Sequence, residues 1–309
     1  MIVAKAADKP SPADIITNAI IAKLEAGVRP WVKPWRPGLG GRPLRATGEP
    51  YRGINCFWLW LVAESAGYNA RTWMTYKQAQ ALGGQVREGE RAQIAIFYKT
   101  YSKAVAAPLT GDVVDETRRV LRSYNVFNAD QIDGLPERFR PSRLGVVPPA
   151  DELPERARQF VASLPATVHI GGDRAFYDRI ADTITMPAVE QFTTRAYWAS
   201  TLAHEAGHWT GHPDRLDRQF GKKFGDDAYA FEEMCAEMTA ALLGADLALP
   251  TAHLDDHANY IGSWLRVLKR DSRAVMTAAA KAEAAAGFLL RATGLADNAP
   301  AKEPVREAA

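Results

Sequence analysis

After Ser11 the apolar residues recur every three to four positions. Ile15, Ile16, Ile20, Ile21 and Leu24 form a stripe that predicts a helix ended by Gly27. Ser11 suits the N-cap, Pro12 the first turn, and Asp14 the positive end of the helix dipole. The period is lost over residues 30–41, which are rich in Pro, Gly and Trp and predict an irregular loop. A second helix is predicted over 51–66, burying Trp58, Leu59, Leu61 and Val62, and a short third over 75–82, stopped by Gly83 and Gly84. Residues 92–101 alternate in part (Ile94, Ile96, Tyr98) and read as a strand, as do 120–127. The polar run 102–117 then reads as the connection of a long hairpin.

Residues 134–150 hold several prolines and little periodicity, as a linker would. Beyond it the pattern predicts a helix over 151–164, a strand over 168–170, and an extended pair over 175–186 turning at Asp178 and Arg179. A helix capped by Thr193 or Thr194 then runs to about Thr210. Further helices follow over 229–243, 254–268 and 272–290. The predicted fold class is α+β. Residues 1–11 form a loose start, 12–133 a first α+β domain, 134–150 a linker, 151–292 a second domain with a small sheet, and 293–309 a disordered tail.

The chain has 309 residues, enough for two domains, and 24% of them are charged, a globular composition. No apolar run approaches a membrane span. The start carries Lys5, Asp8 and Lys9 and lacks the apolar core of a signal peptide, so a cytoplasmic protein without membrane partners is expected. Two distant cysteines, Cys56 and Cys235, form no metal or redox motif. The net charge of +2 hides an asymmetry. Residues 1–143 hold 21 Lys and Arg against 13 Asp and Glu, and the remainder 17 against 23. A basic half suggests a polyanionic partner.

The predicted helix ending near Thr210 contains His204, Glu205 and His208 in His-Glu-x-x-His spacing. Residues four apart share a helix face, so two imidazoles can grip one metal ion. Glu205 lies about a quarter turn away, suited to act as general base on a water that the metal acidifies. Zinc is the expected ion, and manganese or another divalent cation is open to the same donors. A catalytic site of this kind needs a third protein ligand. Glu233 is the first choice, with Glu237 four residues on as the acid that orients a ligating histidine, the order of thermolysin-like enzymes. Glu232 is the alternative ligand, since the helix register is open. Asp214 is a second candidate at the offset used by metzincins, where a histidine is usual, and His212 a third. The extended run 182–186 reads either as a plain edge strand or as one that pairs with a substrate peptide.

Five of the eight tryptophans, Trp31, Trp35, Trp58, Trp60 and Trp73, fall in the basic half. Trp58 and Trp60 sit in an apolar helix and are expected in the core. Trp31, Lys33, Trp35 and Arg36 alternate ring and cation in a loop, a composition suited to base stacking and phosphate pairing on single strands. Trp73 is a further stacking candidate. Arg52, Arg71, Lys77, Lys99 and Lys103 are candidates for phosphate contact.

Several segments together resemble the ArdC-type antirestriction family. They are Pro30-Trp-Val-Lys-Pro-Trp35, Tyr51-Arg-Gly-Ile-Asn55, Trp73-Met-Thr-Tyr-Lys-Gln-Ala79, Tyr124-Asn-Val-Phe-Asn128, His204-Glu-Ala-Gly-His-Trp-Thr-Gly-His212 with Arg215-Leu216, and Glu232-Glu233. The chain is also similar to the N-terminal part of conjugative TraC primases. The resemblance covers nearly all of residues 12–290. It implies a single-stranded-DNA-binding domain joined to a zincin-like metallopeptidase, carried by conjugative plasmids and protecting incoming DNA. A restriction-system component is then the expected protein substrate. The competing expectation is a protein that coats single-stranded DNA and whose metal is structural.

Overall fold

The computed structural model describes residues 10–31, 41–106, 113–139, 152–218, 226–249 and 260–296, without the side chains of 100–119. Most of the predicted linker and the terminal tail lie outside the described residues, as do Lys33, Trp35 and Arg36. Two compact units emerge. The first is Met1–Trp31, Arg36–Gly145 and Leu268–Met276, and the second Val32–Trp35, Val146–Val267 and Thr277–Ala309. Among the described residues no helix is long and apolar enough to cross a membrane.

In the first unit, α1 (Pro12–Glu25) starts as predicted. Ser11 and Asp14 exchange side-chain and backbone hydrogen bonds in a capping box. Ile16, Ile20 and Leu24 are buried, whereas Ile15 points outward and Thr17 inward. Thr17 Oγ1 donates to the Ser272 carbonyl at 2.7 Å, and Lys269 Nζ meets Glu25 Oε1 at 2.6 Å, which ties 268–276 to this unit. A four-stranded sheet follows, ordered β1 (Leu44–Arg45), β2 (Thr72–Met74), β5 (Val113–Asn128), β4 (Gln93–Ala106). β1 and β2 run parallel and the other pairs antiparallel. Short strands β3 (Gln85–Val86) and β6 (Ile132–Asp133) make a separate ladder.

α2 (Ile54–Ala66) begins at Gly53, whose φ of 53° and ψ of −137° only glycine adopts without strain. It buries Phe57, Trp58, Leu59, Trp60 and Leu61. α3 (Tyr76–Ala81) is capped by Thr75. Two asparagines complete the frame. Asn55 Nδ2 donates to the Ile96 carbonyl and its Oδ1 accepts from the Ile96 amide, so its side chain stands in for a neighbouring strand on β4. Asn128 Nδ2 donates to the Ala70 carbonyl.

The hairpin corrects one expectation. β4 and β5 stay paired out to Ala106 and Val113, so the polar run 102–117 is mostly strand rather than connection. A two-stranded arm pairs its backbone whether or not its side chains are apolar, so polarity gave no sign of it.

In the second unit, α4 (Glu155–Ser163) precedes a three-stranded sheet ordered β7 (Thr167–Ile170), β9 (Thr183–Met186), β8 (Phe176–Asp178). β9 is parallel to β7 and antiparallel to β8, with Ile184 and Met186 fully buried. The strand expected to receive a substrate is therefore central, with both edges occupied, and the outer strands of the sheet are β7 and β8. α5 (Arg195–Trp209) is capped by Thr194, and α6 (Asp227–Leu247) by Asp226. α7 (Ile261–Arg270) and α8 (Ala274–Ala292) follow. α5 and α6 pack closely at Gly207, where a Cβ would lie 3.4 Å from both Ala236 Cα and Thr239 Cβ.

Candidate functional site

α5 and α6 carry the site. Four-residue spacing puts His204 and His208 on one face of α5, their ring centroids 4.8 Å apart. Facing them, Glu233 of α6 places Oε2 3.7 Å from His204 Nε2 and Oε1 3.5 Å from His208 Nε2. The three donor atoms lie within 4.8 Å of one another. A tetrahedral ion with bonds of about 2.0–2.2 Å sets its donors about 3.4 Å apart, so the trio fits a divalent metal. Two imidazoles and a carboxylate are also a donor set that zinc and its neighbours accept. Glu205 is buried beside them at 7% exposure.

Glu232 is turned away from the trio. Its Oε1 lies 3.3 Å from His208 Nδ1, and Arg218 grips the carboxylate through Nε at 3.0 Å and Nη2 at 2.8 Å. The ring thus donates from Nδ1 to Glu232, which leaves Nε2 facing Glu233 as the nitrogen that would ligate a metal. Arg218 also donates to the Gly207 carbonyl at 2.6 Å and to Thr210 Oγ1 at 2.7 Å, fastening the end of α5. The acid that orients His208 is therefore Glu232. Glu237, expected to orient a ligating histidine, lies fully buried one turn beyond Glu233. The helix register decides this: adjacent residues on α6 point about 100° apart, so Glu233 faces the trio while Glu232 reaches the far side of the ring.

Asp214 is corrected as a ligand candidate. Its side chain is 86% exposed and 3.5 Å from His212 Nδ1, in the turn after α5. Arg215, from the same turn, donates from Nε to the Trp209 carbonyl at 2.6 Å and lies over the Trp209 ring. It also holds Asp182 and the Tyr177 hydroxyl, fastening the β8–β9 turn to the end of α5.

The charges in the site are coupled. Burial disfavours a charged His208, but Glu233 and Glu232 outweigh it and hold its pKa well above the ordinary value. Burial likewise opposes the Glu233 charge, yet His208, His204 and a hydrogen bond from Tyr229 draw its pKa down to about 2. Tyr229 lies one turn before Glu233 on α6, and its hydroxyl is 3.1 Å from that of Tyr260. Burial first, then the Glu233 charge, raises the pKa of both phenols. Arg218, Tyr229 and Tyr260 were missed in the sequence. Tyr229 alone left a trace there, by its four-residue offset from Glu233.

The stacking candidates fare differently. Trp31 and Trp73 are each 1% exposed, so neither ring can stack on a base as the protein is folded. Both are core residues because a large ring gains more from burial than a loop position can offer. Arg71 is engaged with the Arg42 carbonyl through Nε and Nη2. Arg52, Lys77 and Lys99 are exposed. Lys103 stands on β4 opposite Glu116, its side chain outside the description.

The second unit, with its small sheet, two-histidine helix and glutamate from a following helix, defines a zincin-like metallopeptidase domain, joined here to a small α+β domain. Residues 155–281 match the family described as zincin-like metallopeptidase, and residues 11–127 match the N-terminal domain of anti-restriction factor ArdC. The metal-free crystal structure of antirestriction ArdC from plasmid R388 superposes with a TM-score of 0.77 at 40% identity, over 91% of this chain and 97% of that one. Its Mn(II)-bound structure gives 0.77 at 38%, over 93% and 100%. The chain is 39% identical over 288 residues to protein y4eC of Sinorhizobium fredii, covering 90% of this chain and 92% of that protein. It is 38% identical over 292 residues to a DNA primase TraC of Escherichia coli, covering 89% of this chain but 26% of the primase. The chain belongs to the ArdC antirestriction family.

Proposed function

We propose that this protein is a divalent-metal-dependent peptidase that binds single-stranded DNA and protects the incoming DNA of a conjugative plasmid or mobile element from host restriction. The observation that carries the peptidase reading is the buried trio His204, His208 and Glu233 with Glu205 beside it on α5. A metal held only for structure needs ligands but no neighbouring base.

His204, His208 and Glu233 would hold the ion. When bound, it supplies Lewis acidity that polarises a peptide carbonyl and lowers the pKa of water to about 7. The chain's own groups do the rest. Glu205 accepts the proton of the attacking water as its oxygen bonds to the carbonyl carbon, then returns it to the departing amine as the C–N bond breaks. Glu232 and Arg218 keep His208 in one tautomer and orientation. Tyr229 steadies the Glu233 carboxylate. A substrate strand would pair with an outer strand of this sheet, β7 or β8, since β9 is paired on both sides. Zinc remains the expected ion, and the Mn(II) seen in the R388 relative shows that such a fold takes manganese.

Basic charge in residues 1–143 and the ArdC N-terminal match support the DNA reading. The test is Glu205→Gln. Protection from restriction in a transfer assay should be lost, while metal content and affinity for an oligothymidylate are kept. Protection that survives in this variant would leave a DNA-coating protein with a structural metal.

A further inference from the structure

With Trp31 and Trp73 buried, neither offers a ring to nucleic acid, whereas the hairpin does. Alternation along β4 and β5 sorts the side chains of 93–99 and 120–128 onto two faces. The register sets Phe97 opposite Arg122, Ala95 opposite Tyr124 and Lys99 opposite Val120, so Phe97, Lys99, Arg122 and Tyr124 share one face. The other face of these segments, including Tyr98 opposite Leu121, carries no charge, and neither segment contains an acidic residue.

The charged face is organised. Phe97 is 41% exposed and meets Tyr124 edge to face at 5.8 Å. Arg45 of β1 donates from Nη1 to the Tyr124 hydroxyl at 3.4 Å and lies over the Tyr51 ring. Lys99 and Arg122 are exposed and make no ion pair among the described residues. An open ring flanked by exposed cations is costly to leave in water and suits a strand of stacked bases and phosphates.

We propose that this face of the β4–β5 hairpin is the platform for single-stranded DNA, with Phe97 stacking on a base and Arg122, Lys99 and Arg45 pairing with phosphates. The proposal rests on the single-stranded-DNA reading above and places it at named residues. Alternating position, rather than sequence proximity, selects them, and aromatic stacking makes the contact tolerant of base identity.

Fluorescence anisotropy of a labelled oligothymidylate with the full chain tests it. Phe97→Ala should weaken binding about tenfold. Arg122→Ala should lower the dependence of log affinity on log salt by about 0.7, the loss of one phosphate contact on a single strand. Tyr98→Ala, on the opposite face, should bind as the parent does. All three positions are exposed, and unchanged thermal midpoints confirm that the variants fold. Parent-like affinity and salt dependence in Phe97→Ala and Arg122→Ala overturn the platform, as does a loss confined to Tyr98→Ala. A parent protein that does not bind the oligomer removes the broader DNA reading as well.

Discussion

Arg218→Met should destabilise the metallopeptidase domain and separately weaken its hold on metal. The Arg218–Glu232 pair is buried, each side chain 3% exposed, and the guanidinium also serves the Gly207 carbonyl and Thr210 Oγ1. Methionine fills similar space but leaves the buried Glu232 carboxylate without its guanidinium and that guanidinium's hydrogen bonds, a change that costs about 3–5 kcal/mol. For a domain of this size that lowers the thermal midpoint by about 10 °C, measurable by calorimetry of the metal-free protein. With Glu232 no longer clamped, His208 loses its fixed orientation, and metal affinity should fall about 10–100-fold in titration calorimetry with Mn(II) or Zn(II). The double variant Arg218→Met with Glu232→Met separates the two effects. An apolar pair can replace a buried ion pair at little cost, so most of the stability should return. Metal affinity should stay low, because His208 Nδ1 then has no carboxylate to donate to. A single variant within about 1 kcal/mol of the parent, or a double variant that regains full metal affinity, would refute the reasoning.

Three other outcomes are expected. The metal-free site holds a protonated His208 between Glu232 and Glu233 at neutral pH, so an incoming ion must displace that proton; affinity should rise with pH, with release of about one proton per ion in calorimetry across buffers of different ionisation enthalpy, and flat affinity without proton release would contradict this. Trp31→Ala should cost about 3–5 kcal/mol by denaturant unfolding, because the ring is buried, and a mutant with weakened DNA binding but parental stability would return Trp31 to the surface. Tyr229→Phe removes one hydrogen bond to Glu233, worth about 0.5–1.5 kcal/mol, and should weaken metal binding up to about tenfold without touching affinity for single-stranded DNA.

Much of the fold was legible. Ser11 and Asp14 marked the start of α1, and the pair Thr193–Thr194 that of α5, where Thr194 is the cap, because a cap is a local hydrogen bond between neighbours in sequence. His204 and His208 were readable for the same reason, since a helix converts a four-residue offset into a shared face. The outer hairpin was not readable, because its strands are held by backbone pairing. Nor was the fate of Trp31 and Trp73, whose composition suits a core and a stacking surface equally.

The carboxylates show where local reading stops. From its own residues, this chain determined a metal-gripping helix, a second helix bearing Glu232, Glu233 and Glu237, and a basic, tryptophan-rich first half. Each of these is a matter of spacing or count. Which glutamate faces the histidines depends on how α6 is rotated against α5, and close packing at Gly207, Ala236 and Thr239 sets that rotation. Tertiary structure alone placed Glu233 between the two rings, gave Glu232 to His208 and brought Arg218 behind it. It also left Phe97, rather than Trp31 or Trp73, open beside exposed cations, because burial is decided by what packs over a residue and not by the residue itself.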